Sequence, residues 1–254
     1  MVKLVMSKYT IVTLEEVHST NSYALEFLPS LDDKTVVFST NQTSGRGRYD
    51  RKWICDDTEN LYMSIVLKPE KKLDYPYPNL TQFLSVLVCN VLEKNFDIQS
   101  NIKWPNDILV NGAKISGILA ETAVLNNKIN GVVLGLGLNV NLKQETLNSI
   151  DQNATSISVL KNQNYDCEKI ARMICDEFFA NYDEFVSGGF EYIKDEYIQR
   201  CAFLGQNITI KEAEERKKYF AKSIDNDGLL VAIDEQDREC KIITGDVLCY
   251  SMMG

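Results

Sequence analysis

Residues 103–121 constrain the fold more than any other stretch of this chain. The Trp104-Pro105 step disfavours helix, because a residue that precedes proline is pushed toward an extended backbone. Asn111-Gly112 lies between two apolar runs, and this dipeptide is a strong signal for a two-residue hairpin turn. We therefore expect two strands joined by a tight turn, with Lys114 early on the returning strand. Gly117 follows it and suits a place where a ligand or another backbone comes close.

A glycine-rich basic segment is the second informative feature. Glycines let backbone N–H groups converge on an anion, and guanidinium groups grip carboxylate or phosphate oxygens in pairs. The spacing matches neither a P-loop nor a dinucleotide fingerprint. A solvated surface loop is the alternative, but a chain of net charge -9 that concentrates four cations within seven residues favours an anion-binding loop. The segment reads Gln42-Thr43-Ser44-Gly45-Arg46-Gly47-Arg48-Tyr49-Asp50-Arg51-Lys52-Trp53.

Four segments together resemble biotin–protein ligases, a family that attaches biotin to a lysine of carboxylases. The likeness runs in order from about residue 16 to residue 141 and resumes in the last fifty residues or so. Asp50 is a departure, since it stands where the family usually has a glycine between the two basic pairs. The segments are Ser19-Thr20-Asn21, residues 42–53, residues 103–121 and the run Gly135-Leu136-Gly137-Leu138-Asn139-Val140-Asn141.

The resemblance implies an α+β fold of the class II synthetase and biotin ligase type. This fold has a mixed, mainly antiparallel sheet with flanking helices, followed by a small C-terminal SH3-like β-barrel. The hydrophobic pattern agrees, since apolar residues recur at helical spacing after Asn79, the expected N-cap, and again over residues 167–186 and 189–201. After Gly205 the sequence pattern is that of short β-strands separated by turns, so we expect a catalytic domain at residues 1–204 and the barrel domain at 205–254.

The implied chemistry is a two-step acyl transfer that uses biotin, ATP and Mg²⁺. The carboxylate of biotin attacks the α-phosphate of ATP to give biotinyl-5'-AMP, and a lysine of a carboxylase biotin-carrier domain then takes the acyl group. Because carboxylate and phosphate repel each other, the site needs fixed cations between them. The candidates for this catalytic role are Arg46, Arg48 and Lys114.

The resemblance also distributes the binding roles. The ureido ring of biotin requires paired donors and acceptors in an apolar slot. Some candidate residues also have possible structural roles. Ser19-Thr20-Asn21 could simply cap a helix, and Trp53 could pack in a core. Asp107 and Asn139 could stabilise turns. The expected biotin-binding residues are Ser19, Thr20, Asn21, Gln42, Gly45, Arg46, Gly47, Arg48, Lys114 and Gly117. The expected adenylate-binding residues are Arg48, Arg51, Trp53, Asn106, Asp107, Lys114 and Asn139, with Mg²⁺ near Asp107.

Composition limits the partners. With 36 acidic against 27 basic residues, the chain lacks the broad basic face that nucleic acid requires, and only about fifteen residues precede Ser19, which argues against a DNA-binding domain. Seven cysteines without a Cys-x-x-Cys pair predict free thiols in a reducing cytoplasm, and no signal peptide or membrane span is evident. His18 is the only histidine, so a multi-histidine metal site is excluded. The family's short members are monomers or homodimers.

Three other functions compete with this interpretation. A lipoate–protein ligase would share the architecture and would also form an acyl-adenylate, but the Gly-Arg-Gly-Arg loop favours biotin. A non-catalytic biotin sensor would keep the pocket without the means to activate phosphate, and the presence of Lys114 and Arg48 argues against it. A docking scaffold would bind carboxylase through its C-terminal barrel alone.

Overall fold

The computed structural model describes residues 1–6, 8–55, 58–68, 76–125, 128–212 and 215–249. Strand residues outnumber helical residues. The strands are β1 (Val2–Val5), β2 (Thr10–Leu14), β3 (Thr35–Ser39), β4 (Gly45–Arg46), β5 (Lys52–Trp53), β6 (Leu61–Leu67), β7 (Asn101–Lys103), β8 (Asp107–Val110), β9 (Ala113–Leu125), β10 (Lys128–Leu138), β11 (Asn207–Glu212), β12 (Glu215–Ile224), β13 (Leu230–Asp234), β14 (Glu239–Ile242) and β15 (Asp246–Cys249).

Within the described ranges, six α-helices and three short 3-10 turns connect these strands. None of the described helices combines the length and apolar character that crossing a membrane requires. The helices are α1 (Thr20–Glu26), α2 (Pro78–Phe96), α3 (Gln144–Asn148), α4 (Ile157–Lys161), α5 (Cys167–Gly188) and α6 (Lys194–Arg200), and the 3-10 turns are Leu28–Ser30, Arg48–Asp50 and Gly189–Tyr192.

The chain forms two compact units, of which the first comprises Met1–Leu73 and Ala113–Tyr182. Its sheet follows the order β1-β2-β3-β6-β10-β9. Only the β2/β3 pair is parallel, and the other neighbours within this unit are antiparallel. The prediction of a mixed, mainly antiparallel sheet is therefore confirmed.

Helices cover both faces of this sheet. Successive side chains of a strand point to opposite faces, so Val66 and Met63 of β6 serve different cores. Val66 packs with Val133 and with Ala24 of α1 in one buried cluster. On the other face, Met63 contacts Cys175 of α5 at 3.9 Å between the sulfur atoms.

The second unit comprises Asp74–Gly112 and Asp183–Gly254. Its C-terminal sheet is antiparallel throughout, in the order β14-β13-β12-β11-β15. Buried amides of α2 bind the turn between β12 and β13, since Asn79 Nδ2 donates to Asp227 O at 2.9 Å and Gln82 Nε2 donates to Gly228 O at 2.8 Å. Trp104 Nε1 donates to the same carbonyl of Gly228 at 3.2 Å.

Three expectations need correction. The small C-terminal β domain is an open sheet rather than a closed barrel, because no ladder joins β14 to β15 in the described part of the chain. Apolar patterns predict strands, but closure into a barrel depends on strand tilt and stagger.

Asn79 is not the N-cap of α2, since Tyr77 holds that position without a side-chain bond and Asn79 faces the β12/β13 turn. The helix expected at 189–201 begins with a 3-10 turn, and α6 starts only at Lys194. The domain boundary at Gly205 stays a prediction.

Candidate active site

The site is built on one face of β9 and β10. Gly117 pairs with Gly137, Leu119 with Gly135, and Glu121 with Val133. Because side chains alternate along a strand, Gly117, Glu121, Gly135 and Gly137 share a face, and this is the face on which α1 packs against Val133. Leu119 also points to this face, but the three glycines carry no side chain, so groups from other elements lie directly on the backbone there.

The start of α1 fills one end of this face with a polar cluster. Ser19 caps the helix by accepting from Ser22 N at 3.4 Å, which confirms the capping role expected from the sequence. Thr20 N and Oγ1 both donate to Gln42 Oε1, at 2.7 and 3.3 Å. The hydroxyl of Ser64 lies 2.8 Å from Thr20 Oγ1 and can donate to it. Ser19, Thr20 and Gln42 thus lie together, as the sequence predicts for a biotin site.

Asn21 is buried in this cluster with its hydrogen-bonding capacity in use. Its Nδ2 donates to Leu119 O at 3.1 Å and to Glu121 Oε2 at 2.9 Å. Ser64 Oγ lies 2.6 Å from its Oδ1. An added Cβ on Gly135 would lie only 2.1 Å from Asn21 Oδ1, so the glycine is required for this placement. Asn21 therefore shapes the polar end of the site from inside the protein.

Trp53 lies on the glycine pair at the other end of the same face. A Cβ on Gly117 would meet the indole at 2.8 Å, and one on Gly137 would meet it at 2.7 Å. Lys114 Nζ stands 5.2 Å from the centroid of the Trp53 ring, within the range of a cation–π contact. The side chain that approaches Gly117 in this structure is thus an aromatic ring of the basic segment, with the candidate catalytic lysine over it.

A cavity of about 480 Å³ opens beside this pair. Its volume lies in the usual range for small-molecule sites. Asn139, which is buried, forms part of its wall and is fixed by donation of its Nδ2 to Thr155 O at 3.0 Å. The lining residues are Arg51, Lys52, Trp53, Ile54, Lys114, Asn139, Ile150, Asp151, Gln152 and Ala154.

Two backbone hydrogen bonds fix the position of the chain at Lys114. Its N–H donates to Asn153 O at 2.8 Å, and its carbonyl accepts from Thr155 N at 2.9 Å. The turn before it has the predicted form, since Asn111 and Gly112 both have positive φ (49° and 77°) and β9 begins at Ala113. The predicted position of Lys114, early on the strand after a two-residue turn, is confirmed.

The basic segment contains a short hairpin in which Gly45 pairs with Trp53 and Arg46 with Lys52. A Cβ on Gly45 would lie 2.8 Å from Trp53 O, whereas one on Gly47 would meet nothing closer than 3.4 Å. Gly47 N donates to Arg51 O at 2.7 Å and so closes the turn. These contacts shape the segment as a short closed hairpin.

The arginines of the segment make different contacts. Arg46 Nη2 donates to both oxygens of Glu121, at 3.0 and 2.8 Å. Arg48 and Arg51 lie on the ring of Tyr49, with guanidinium carbons 5.0 and 5.8 Å from its centroid. Tyr49 has a left-handed backbone (φ 55°), which costs a non-glycine residue on the order of 1 kcal/mol. The four cations thus do not converge on one point in this structure.

Asn106 and Asp107 belong to the second unit, unlike the other predicted site residues. Asp107 is nearly buried and pairs with Lys103, with 3.2 Å between Lys103 Nζ and Asp107 Oδ2. A single carboxylate is a common protein contribution to a Mg²⁺ carried by nucleotide phosphates. No group of three or more His, Cys, Asp or Glu side chains that could hold a metal ion occurs within the described ranges.

Comparison with known proteins places this geometry in a family. Residues 14–139 match the model of the Biotin/lipoate A/B protein ligase family. The chain belongs to this family. It is 31% identical to the Bifunctional ligase/repressor BirA of Bacillus subtilis (strain 168) over 214 residues, which are 84% of this chain and 65% of that protein. It is 27% identical to the Biotin--[acetyl-CoA-carboxylase] ligase of Paracoccus denitrificans over 222 residues, 86% of this chain and 92% of that one.

Solved structures show the same fold. The biotin protein ligase from Aquifex aeolicus in complex with biotin and ATP superposes with a TM-score of 0.79 at 24% identity, over 94% of this chain and 97% of that chain. The family resemblance expected from the four sequence segments is thus confirmed. The chain spans less than two thirds of the length of the Bacillus proteins it matches.

Sequence reasoning missed three parts of this family member's site. Ser64 is a serine within the mainly apolar strand β6, and this interruption of the apolar run could have indicated a site residue. Glu121 lies four residues after Gly117 and therefore shares its face in a strand, which the sequence also indicated. Residues 150–154 carry no local signal, and only the fold brings them to the cavity.

Proposed function

We propose that this chain is an ATP-dependent biotin–protein ligase that forms biotinyl-5'-AMP and passes biotin to a lysine of a carboxylase biotin-carrier domain. The observation that carries the proposal is the placement of Lys114 Nζ 5.2 Å over Trp53, at the wall of a 480 Å³ cavity that Arg51 and Lys52 also line. A fixed lysine beside an aromatic surface and further cations suits a ligand that combines a purine ring with phosphates. Family membership supports the same conclusion.

In the proposed first step, a carboxylate oxygen of biotin attacks the α-phosphorus of ATP. The bond from this phosphorus to the bridging oxygen breaks, and pyrophosphate leaves with the electron pair. Arg46, Arg48 and Lys114 are the proposed catalytic residues, since cations held by the protein stabilise the charge that builds up on the phosphoryl oxygens. Mg²⁺ bound to the phosphates would supply further positive charge, with Asp107 as a proposed ligand.

In the second step, the neutral ε-amine of the carrier lysine attacks the acyl carbon of the mixed anhydride. The carbon–oxygen bond to AMP breaks, AMP leaves, and the amine loses a proton to give the amide. The protein must keep water from the anhydride until the carrier arrives. Trp53 and the basic segment lie where a ligand in the cavity would be covered, so we assign them this role.

The proposed binding residues form two groups, one for biotin and one for the adenylate. Ser19, Thr20, Asn21 and Gln42 form the polar end, which suits the ureido group of biotin because a hydrogen-bonded cluster offers donors and acceptors in an enclosed place. Gly45, Arg46, Gly47, Arg48, Lys114 and Gly117 complete the proposed biotin site. Arg48, Arg51, Trp53, Asn106, Asp107, Lys114 and Asn139 are the proposed adenylate site.

Biotin-dependent exchange of labelled pyrophosphate into ATP tests the proposal directly. We expect exchange with biotin and none with lipoate. Exchange with lipoate alone would move the chain to the other branch of its family. Measured binding of biotin without exchange would instead make it a sensor.

The partner and cellular setting are parts of the same proposal. Incubation with biotin, ATP and a purified biotin-carrier domain should add one biotin to a single lysine of the carrier, as read by mass spectrometry. We further propose a cytoplasmic protein, monomeric or homodimeric, that acts on protein and not on nucleic acid, in keeping with its net charge of -9.

A further inference from the structure

We infer that Glu121 is a positioning residue of the proposed biotin site, which holds Arg46 and Asn21 through one carboxylate. This inference rests on the proposed function. Glu121 lies on β9 and is itself no candidate for contact with the reacting atoms. Its two partners are residues from separate segments, the basic segment and α1, and both are assigned to biotin.

The geometry gives Glu121 three hydrogen bonds. Its two oxygens accept from Arg46 Nη2 at 3.0 and 2.8 Å, and Oε2 also accepts from Asn21 Nδ2 at 2.9 Å. Asn21 is itself buried and held by Leu119 O and Ser64. The carboxylate therefore connects Arg46, on the hairpin of the basic segment, to a rigid polar cluster on the sheet.

This arrangement leaves most of Arg46 for a substrate. Only one guanidinium nitrogen, Nη2, contacts Glu121. The remaining N–H groups of that side chain make no hydrogen bond that the structure records among its described residues. A carboxylate behind the guanidinium thus fixes its position while its other donors stay available, which is the preorganisation that a cation needs to act on an anionic ligand.

An ordinary surface ion pair would not have this effect. Exposed pairs contribute little because water screens them and both side chains must be ordered. Here the Glu121 side chain is only 25% exposed and shares its oxygen with a buried amide. Coupled polar groups of this kind behave as a network, so removal of one charge affects both partners.

Glu121→Gln is the informative change because it keeps the shape and removes the charge. A carboxamide accepts through one oxygen only. An oxygen in the place of Oε2 still faces Asn21 and Arg46, but the NH₂ group then faces Arg46 Nη2 where Oε1 accepted, and the negative charge is gone, so Arg46 is held less firmly. We expect the KM for biotin in pyrophosphate exchange to rise about tenfold, with the KM for ATP and kcat changed less than threefold. Glu121→Asp, which keeps the charge, should recover part of the loss.

The control is Glu26→Gln, which removes an exposed carboxylate of α1 for which the described residues show no hydrogen bond or ion pair. A second readout needs no activity: trypsin should cleave the ligand-free basic segment several-fold faster in Glu121→Gln than in Glu26→Gln, because Arg46 is no longer held. The double variant Arg46→Ala, Glu121→Gln should raise the biotin KM by less than the product of the two single effects, since Glu121 acts partly through that arginine and partly through Asn21.

Equal biotin KM and equal cleavage in Glu121→Gln and Glu26→Gln would overturn the inference. Parallel changes in both KM values and kcat, together with a lowered melting temperature, would also overturn it, because they would show a purely structural role. If the unaltered protein shows no exchange with biotin, the proposed function fails, and the trypsin comparison still decides whether Glu121 holds the segment.

Discussion

At the scale of single residues, the glycines of β9 and β10 show how the sheet makes room for chemistry. Gly135 admits Asn21, and Gly117 with Gly137 admits Trp53, each at distances that no Cβ would tolerate. The two admitted side chains mark the two ends of the proposed site. A substitution at Gly135 or Gly137, neither of which is assigned to a ligand, therefore tests the site without removing any side chain assigned to the chemistry.

Gly137→Ala should displace Trp53, because its Cβ would lie 2.7 Å from the indole. Overpacking of this kind costs typically about 1–3 kcal/mol of the free energy of unfolding. Gly188→Ala, outside the proposed site, is the control, since its Cβ would come no closer than 3.3 Å to another side chain and Gly188 has a negative φ of -98°. We expect a changed Trp53 emission and a raised KM for ATP in Gly137→Ala only. Identical emission spectra for both variants would contradict the packing argument.

Lys114→Ala should leave the fold intact and abolish adenylation. The lysine side chain lies over Trp53 at a cavity wall, so its loss removes a charge without opening a core. Loss of one preorganised cation that acts in the transition state typically costs a factor of about 100 to 1000 in kcat. Pyrophosphate exchange measures the loss, and thermal melting checks the fold. Lys169→Ala, which removes an exposed lysine of α5, is the control; exchange within a few-fold of that control would remove Lys114 from the mechanism.

At the scale of elements, the basic segment is anchored at its two ends, where Gln42 accepts from Thr20 and Trp53 lies on the glycines of β9 and β10. Between these ends, its hairpin has two paired residues on each side, and Arg46 contacts Glu121 of β9. Glycines and charged side chains make up most of its turn. A segment of this type is expected to open and close locally at low cost in free energy.

Biotin should protect this segment from trypsin. A ligand carboxylate would add charge-assisted hydrogen bonds to arginines that now lie on Tyr49 or Glu121, and so would favour the closed form. Cleavage after Arg46, Arg48 or Arg51, followed by mass spectrometry, should slow at least several-fold with saturating biotin. Cleavage at sites outside the segment, such as Lys169, serves as an internal reference. Equal rates with and without biotin would refute closure over the ligand.

The same elements show what the sequence could and could not predict. The hairpin before Lys114, the strand at β6 and the cap of α1 follow from local rules of turn chemistry, apolar runs and capping, and all were predictable. The role of Asn79 was not, because its partner Asp227 lies 148 residues away. Residues 150–154 reach the cavity for the same reason, by backbone pairing with Lys114 that no local pattern encodes.

At the scale of the whole molecule, buried thiols are spread over both units. Cys167 and Cys175 lie in the first unit, and Cys89 and Cys201 in the second. Burial raises the pKa of Cys89 from 9.0 to about 11 and that of Cys167 to about 12, and it raises the pKa values of Cys175 and Cys201 as well. The neutral thiol is thus the form that each folded unit holds.

These shifts predict a loss of stability in base. Below pH 9 the thiols are neutral in both the folded and the unfolded state, so the stabilisation is complete. Between pH 9 and the raised pKa values, only the unfolded thiols ionise, and the free energy of unfolding falls. For a thiol with a folded pKa of about 11, the loss between pH 8 and pH 10 is on the order of 1 kcal/mol. Urea denaturation in reductant at pH 8, 9 and 10 measures it.

Cys89→Ala separates this titration from other effects of base. The variant should be less stable at pH 8, because truncation leaves a small cavity. Its free energy of unfolding should nevertheless fall less steeply between pH 9 and pH 10 than that of the unaltered chain, since one titrating group is gone. Parallel slopes for the two proteins would contradict this prediction, because they would mean that the Cys89 thiol ionises equally in the folded and unfolded states despite its burial.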